Sequence, residues 1–203
     1  MHGGRRAATL PVGFFRQDAV TVARGLLGAL LVSGVRGSRT VGRIVEVEAY
    51  LGADDPASHA WKFRRHARNE ALFGPAGRWY VYRSYGLHWC TNLVAGPPGH
   101  GAAVLLRAAE PLEGLASMRR RRGVQAERLL CAGPGRLCQA LGITSSLDGL
   151  PMYRSVVRVV GSAALSEDEI VATPRIGITR AADWPLRFVE RGSPWASGSR
   201  GRK

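Results

Sequence analysis

The chain has 203 residues, with 29 Lys and Arg against 15 Asp and Glu and a formal charge of +14, enough sequence for one domain with a substantial core and no composition shift that would divide it. That imbalance attracts polyanions, nucleic acid first and acidic lipid second, although the one Arg-rich helical candidate is short and no amphipathic membrane anchor is found. No apolar run spans a bilayer, Met1-His2-Gly3-Gly4-Arg5-Arg6 lacks the apolar segment of a secretory signal, and Cys90, Cys131 and Cys138 have no CxxC spacing, which points to a cytoplasmic protein with reduced core thiols rather than a disulfide or zinc framework.

In chain order, residues 1–9 read as a flexible tail and 10–196 as the folded domain. Asp18 is a candidate N-cap for a helix over Ala19 to Leu31, with Val22, Leu26, Leu27 and Leu30 at helical spacing. Thr40 to Tyr50 reads as a strand, followed by a loop rich in Asp, Pro and His to about His59. Trp79 to Val94 reads as a hairpin with Tyr85-Gly86 at its tip. A Gly/Pro-rich connection leads to a strand over Ala103 to Arg107, which would pair with the hairpin. Pro111 is placed in the first turn of a helix through Leu112, Leu115 and Met118, ending in the run Arg119 to Arg122. A second helix is expected after Gly133-Pro134-Gly135, then strands near Val156–Val160, Arg175–Thr179 and Leu186–Glu190. Residues 197–203 read as a basic, disordered tail. The sum is an α+β fold: a single mixed domain with a curved, largely antiparallel sheet, flanking helices and a protruding β-hairpin.

Chemistry concentrates in Arg43-Ile44-Val45-Glu46-Val47-Glu48-Ala49-Tyr50. Strand alternation puts Ile44, Glu46, Glu48 and Tyr50 on one side and Arg43, Val45, Val47 and Ala49 on the other. Glu48 is a candidate general base, although an isolated Glu is more often a surface or salt-bridged residue; Glu46 competes for the role, and Arg107 would keep a carboxylate ionised. Tyr50, Tyr80 and Tyr82 read equally as core or as stacking surfaces for bases. Tyr85, with little core to enter, reads as a wedge for a duplex. His59 is assigned to hydrogen bonding or stacking, because no divalent-metal motif combines it with Asp54, Asp55, Glu46 or Glu48. The arginine run reads as a solvated helix end, and Gly133-Pro134-Gly135 either as a phosphate cradle or as a plain turn.

Further motifs accompany these: Asp55-Pro56-Ala57-Ser58-His59, Arg68-Asn69, Tyr80-Val81-Tyr82, Tyr85-Gly86, Asn92, Leu105-Leu106-Arg107-Ala108, Glu110-Pro111-Leu112-Glu113-Gly114, Gly133-Pro134 and Arg191-Gly192-Ser193-Pro194-Trp195. Together with the strand they resemble the alkyladenine (3-methyladenine) DNA glycosylase family, from about Pro11 to Trp195. The resemblance implies a monofunctional enzyme of base excision repair, without cofactor or metal. It flips alkylated or deaminated purines out of damaged double-stranded DNA and hydrolyses the N-glycosidic bond without a covalent intermediate. By resemblance Glu48 is the general base, Arg107 helps to hold the nucleophilic water, and the backbone carbonyl completing that site falls at Ile176. Tyr50 matches one wall of the base pocket and His59 with Tyr82 the other. Asn92 matches the side chain that excludes the 2-amino group of guanine, and Tyr85 the residue inserted into the minor groove. A monomer suits a one-nucleotide task, with localisation to the nucleoid through DNA.

Where that family usually has a Gly-rich segment ending in Thr-Pro-Arg-Asn, this chain has Lys62-Phe63-Arg64-Arg65-His66-Ala67-Arg68-Asn69. Two competing readings remain: a noncatalytic nucleic-acid-binding module, and a metal-dependent nuclease built on Glu46, Glu48, Asp55 and His59.

Overall fold

The computed structural model describes residues 8–161 and 164–198. Its helices and strands, in chain order, are α1 (Val12–Phe15), α2 (Ala19–Leu26), β1 (Leu30–Ser33), β2 (Thr40–Tyr50), β3 (Trp79–Ser84), β4 (His88–Ala95), β5 (Ala102–Glu113), α3 (Leu115–Arg122), α4 (Pro134–Leu141), β6 (Val157–Val160), β7 (Ile170–Thr173) and β8 (Arg187–Glu190). The strands form an antiparallel sheet in the order β3-β4-β5-β2-β1-β6, with β8 pairing both β2 and β7. The fold is therefore the expected α+β arrangement. Among the described residues no helix is long and apolar enough to cross a membrane.

β2 organises the molecule. One edge pairs with β5; the other is shared, with β1 taking Thr40 to Arg43 and β8 taking Glu46 to Glu48. Three register shifts interrupt the β2–β5 ladder, one between Val41 and Gly42 and two beside the glutamates. Val45 has no opposite number between the pairs Ile44–Ala109 and Glu46–Ala108, and Arg107 has none between Glu46–Ala108 and Val47–Leu106. Such bulges turn side chains from one face to the other. Ile44 consequently packs with Val47 and Ala49 in the main core instead of sharing the face of Glu46 and Glu48, a correction to simple alternation. The bulge at Arg107 aims its guanidinium at both carboxylates.

The main core lies between one face of the sheet and the helices. Val22 and Leu26 of α2, Met118 of α3, and Leu137 and Leu141 of α4 meet Val104 and Leu106 of β5, all fully buried. Each such side chain contributes about 1.5–3 kcal/mol by leaving water. A smaller cluster on the opposite face joins Ala60, Leu72, Phe73, Tyr80, Val94 and Ala103. It underlies the candidate site.

Several elements depart from expectation. Asp18 caps α2 by accepting from the amides of Val20 (3.0 Å) and Thr21 (2.9 Å), but the helix stops at Leu26, and Leu30 and Leu31 enter β1 between β2 and β6. Pro111 belongs to β5, not to a helix; β4 pairs only as far as Leu105 and the Cys131–Ala132 segment takes Ala108 and Ala109, so that Pro111 lies past both, where a residue without an N–H is tolerated. The turn into α3 falls at Gly114, whose φ of 75° suits glycine and where a Cβ would lie 2.4 Å from the Arg39 carbonyl. Arg175–Thr179 forms no strand, because Arg175 is tied down by its side chain and the Ile176 amide points to Glu48; β7 lies upstream. The arginine run is not simply solvated: Arg119 reaches the Gln125 carbonyl (3.0 Å), Arg121 that of Ala140 (2.9 Å) and Arg122 that of Leu130 (3.1 Å).

The expected terminal tails begin too far inward. Thr9 bridges to Val160, and Ser197 is buried against Glu46. Residues 1–7 and 199–203 lie outside the described residues. All three cysteines are free and buried.

Candidate active site

Glu48 is 0% exposed. The Ile176 amide donates to its Oε1 (2.8 Å), the Tyr50 hydroxyl donates to its Oε2 (3.0 Å), and Arg107 Nη1 lies 3.2 Å from Oε1. All three partners are donors. Tyr50, Arg107 and Ile176 also line a cavity of about 550 Å³, so the carboxylate stands directly behind that wall and not on it. A carboxylate offers about four lone-pair sites. The Ile176 amide takes one on Oε1 and the Tyr50 hydroxyl one on Oε2, Arg107 adds an ion pair at Oε1, and Oε2 keeps one site.

Ile176, expected to offer its carbonyl to the water site, meets the acid through its amide nitrogen. Burial, and then the neighbouring Glu48 carboxylate, push the Tyr50 phenol well above its usual range and keep it a hydrogen-bond donor. Burial opposes the charge on Arg107, but Glu48 and then Glu46 outweigh it and hold the guanidinium firmly protonated.

Glu46 is equally buried yet differently occupied. Its Oε1 accepts from Arg107 Nε (2.8 Å), Arg187 Nε (2.7 Å) and Ser197 Oγ (2.7 Å), and the Ser197 amide binds Oε2. Burial alone would raise its pKa; the charges of Arg107 and Arg187, with the Ser197 hydrogen bond, overcome that and hold it below the usual carboxylate range. Neither glutamate lines the cavity itself, but of the partners of Glu46 only Arg107 does, whereas Tyr50, Ile176 and Arg107 around Glu48 all do, which favours Glu48 over its competitor.

The aromatic side of the cavity comes from the loop after β2 and from β3. His59 Nδ1 lies 2.7 Å from the Tyr80 hydroxyl, and its ring meets Tyr82 edge to face with centroids 4.6 Å apart. Burial, and secondarily His66, lower the His59 pKa, so the ring is neutral near pH 7. Asn92 is buried in β4 beside them and donates from Nδ2 to the Tyr80 carbonyl (3.0 Å). Tyr50, His59, Tyr82 and Asn92 all line the cavity, joined by Leu105 and Cys90. Tyr85, also at the cavity margin, is 89% exposed at the hairpin tip. Both Tyr85 (φ 50°) and Gly86 (φ 69°) are left-handed, the geometry of a tight primed turn. A bulky side chain in that region is strained, which fits a residue held out for a partner.

Sequence reasoning missed two supporting groups. Arg175 lies 4.6 Å above the Tyr50 ring, pairs with Asp55 through Nη2–Oδ1 (2.9 Å), and donates to the Ala49 carbonyl (3.1 Å). Asp55 in turn accepts from the amides of Leu51 (3.1 Å) and Ala57 (2.9 Å), which fixes the loop carrying His59. Asp55 was readable as part of Asp55-Pro56-Ala57-Ser58-His59, but its partner is 120 residues away. These commitments also divide the donors required by the nuclease reading: Asp55 serves Arg175, Glu46 serves two arginines, and His59 serves Tyr80. Among the described residues no three His, Cys, Asp or Glu side chains converge as a metal site. Ser197, assigned to a tail, is the second missed group.

A family model described as methylpurine-DNA glycosylase (MPG) matches residues 13–194. Relatives named "Putative 3-methyladenine DNA glycosylase" cover nearly the whole chain. One from Methanoculleus marisnigri is 50% identical over 192 residues, 93% of this chain and 98% of the relative. Another from Nitrosospira multiformis is 51% identical over 184 residues, 90% and 91% of the two chains, and one from Agrobacterium fabrum is 50% identical over 190 residues, 93% and 92%.

Proposed function

This chain belongs to the methylpurine-DNA glycosylase family, hydrolases acting on N-glycosyl bonds in DNA repair, and from that premise we propose that it extrudes alkylated or deaminated purines from duplex DNA and releases them with a water activated by Glu48. One observation carries the reading: Tyr50, His59 and Tyr82 line a single base-sized cavity whose wall also holds the three donors of the Glu48 carboxylate. The cavity volume lies within the usual range for small-ligand pockets.

A base inside a duplex is inaccessible at its sugar bond, so it must leave the stack at a cost of a few kcal/mol, least for damaged or mispaired bases. Tyr85 fills the gap from the hairpin tip. Stacking on Tyr50, His59 and Tyr82 returns roughly 1–3 kcal/mol per base. A cationic alkylpurine gains further from the tyrosine faces, and the neutral His59 ring adds no opposing charge. Asn92, on the cavity wall, is the side chain assigned to rejecting a 2-amino group.

Water then approaches the sugar C1′. With the Tyr50 and Arg107 side chains that cover Glu48 moving aside to admit it, the water gives its proton to the free lone pair of Glu48 Oε2, Arg107 and the Ile176 carbonyl orient it, and the new C–O bond forms as the glycosidic C–N bond breaks. The electron pair leaves with the base, and a cationic alkylpurine departs neutral without a proton donor. The reading requires one copy of the chain, working on nucleoid DNA in the cytoplasm.

Duplexes each carrying one lesion, followed for free base under single turnover, test this. Wild-type protein is expected to release methylated adenine or hypoxanthine and leave an abasic strand, chelator or not. Glu48→Gln is expected to keep lesion-duplex binding and lose about 10²–10⁴-fold in release. An unchanged release rate in that variant would remove Glu48 from the mechanism; wild-type strand cleavage abolished by chelator would favour the nuclease instead.

A further inference from the structure

A second cleft, of about 810 Å³, opens on the other side of His59 and Tyr82, rings that line it and the base cavity alike. It runs past Gly86 at the hairpin tip and is flanked by Trp61 and Trp89. Four arginines from three segments border it: Arg64 and Arg68 from the loop after Trp61, Arg83 from β3, and Arg180 from the segment beyond Ile176. All four are exposed. Elsewhere the arginines of the folded surface are largely engaged, as Arg24 is with Glu167, Arg43 with Glu110 and Glu190, and Arg65 with Glu70. In this cleft none of the four guanidinium groups meets a carboxylate or a hydrogen-bond acceptor among the described residues. Arg83 only covers the Trp89 ring, 5.6 Å from its centroid. The one lining carboxylate, Asp148, is held by the Val81 amide (2.8 Å).

The loop carrying Arg64 and Arg68 is built, not loose. Asn69 Nδ2 donates to the carbonyls of Arg64 (2.9 Å) and His59 (3.0 Å), while its Oδ1 accepts from the His66 amide (2.8 Å). Lys62 and Phe63 are both left-handed, with φ of 54° and 57°. Two adjacent non-glycine residues in that region are strained and persist where the surroundings fix them. The same Asn69 therefore ties the base-stacking His59 to the arginine-bearing turn.

We propose that this cleft seats the phosphodiester backbone of the DNA strand immediately beside the extruded nucleotide, with Arg64, Arg68, Arg83 and Arg180 as the phosphate ligands. A strand whose base enters the cavity on one side of His59 and Tyr82 has to continue past those rings, and the cleft is where it continues. Unpaired guanidinium groups match phosphate in charge and geometry. Trp61 and Trp89 offer ring surfaces to neighbouring bases. The inference rests on the glycosylase reading and adds a site beside the hairpin, to which the Lys62–Arg68 loop contributes Arg64, His66 and Arg68.

The test uses single-lesion duplexes in which one phosphate near the lesion at a time is replaced by a neutral methylphosphonate, with binding and base release measured for the full chain. Wild-type binding is expected to weaken about tenfold at one or two positions on one side of the lesion. The double variant Arg64→Ser, Arg68→Ser should bind the natural duplex correspondingly more weakly and lose nothing further at those positions, with the log–log salt slope reduced by about 1–2. Arg180→Ser, in a separate segment, should show the same non-additivity there, whereas Arg158→Ser on β6, at the far edge of the sheet, should add to every replacement. Additive losses for the cleft variants, with wild-type base release intact, would overturn the cleft alone. Absence of base release by wild type from every lesion duplex would overturn the glycosylase reading and the cleft with it.

Discussion

Glu46 and Glu48 sit two residues apart on β2, both fully buried and both touching Arg107, yet their surroundings differ in kind. Glu46 is closed in by Arg107, Arg187 and Ser197, groups that leave little acceptor capacity and of which only Arg107 reaches the cavity wall. Glu48 meets Tyr50, Ile176 and Arg107, each a component of the cavity wall. One carboxylate ends a structural network and the other backs the wall of the cavity. Burial and charge alone do not separate a structural acid from a chemical one; what separates them is whether the donors surrounding the acid also face the space where substrate fits.

The strongest way to break this contrast is Glu46→Gln. Removing one charge from a buried ion cluster leaves Arg187 without its carboxylate and Arg107 with one fewer, and should cost about 3–5 kcal/mol of stability, read from denaturant midpoints. Glu48→Gln should cost the fold less, because Gln keeps an acceptor for the Ile176 amide. If the two variants were equally unstable and equally inactive, the distinction would fail.

Tyr50→Phe sharpens it at smaller scale. The ring remains for stacking, while a hydrogen bond to a charged group, worth about 1.5–3 kcal/mol, is lost. Single-turnover release should fall roughly 10–100-fold with binding retained. A variant with wild-type rate but lowered stability would make the hydroxyl a structural partner like those of Glu46.

The smallest effect is in acid. Because the folded-state pKa of Glu46 is depressed below its ordinary 4.5, its contribution is fully present above the unfolded value and is lost as pH falls through the folded one. Wild-type stability should therefore decline below about pH 4.5, and Glu46→Gln should flatten that limb. His59, also lowered from 6.5, adds a milder loss as pH drops below that value, since the unfolded ring gains its proton first. Equal acid limbs for wild type and Glu46→Gln would show that the cluster does not hold the charge.

Much of this was legible in the residues. The strand Thr40 to Tyr50 follows from its β-branched and alternating pattern, the hairpin from Tyr85-Gly86 between apolar runs, and α2's start from Asp18, because each is a local preference acting over a few residues. The illegible parts are those where distant groups override local preference. Leu30 and Leu31 have helical spacing but gain ladder hydrogen bonds from β2 and β6. Arg175 to Thr179 looks like a strand, yet Asp55 and Glu48 claim its side chain and backbone. Ser197 reads as tail until Glu46 is placed beside it.

By itself the sequence determined the charge, the β2 strand with its two acids and Tyr50, the exposed tip tyrosine, and the ordered motifs shared with a glycosylase family. The tertiary structure alone decided which acid has its partners on the cavity wall, through bulges that no alternation rule anticipates, a guanidinium stacked on Tyr50 from far along the chain, and a basic cleft assembled from three segments. Local propensities act within a turn or a strand, whereas the partners that neutralise, orient or expose a buried charge are chosen by packing across the whole chain.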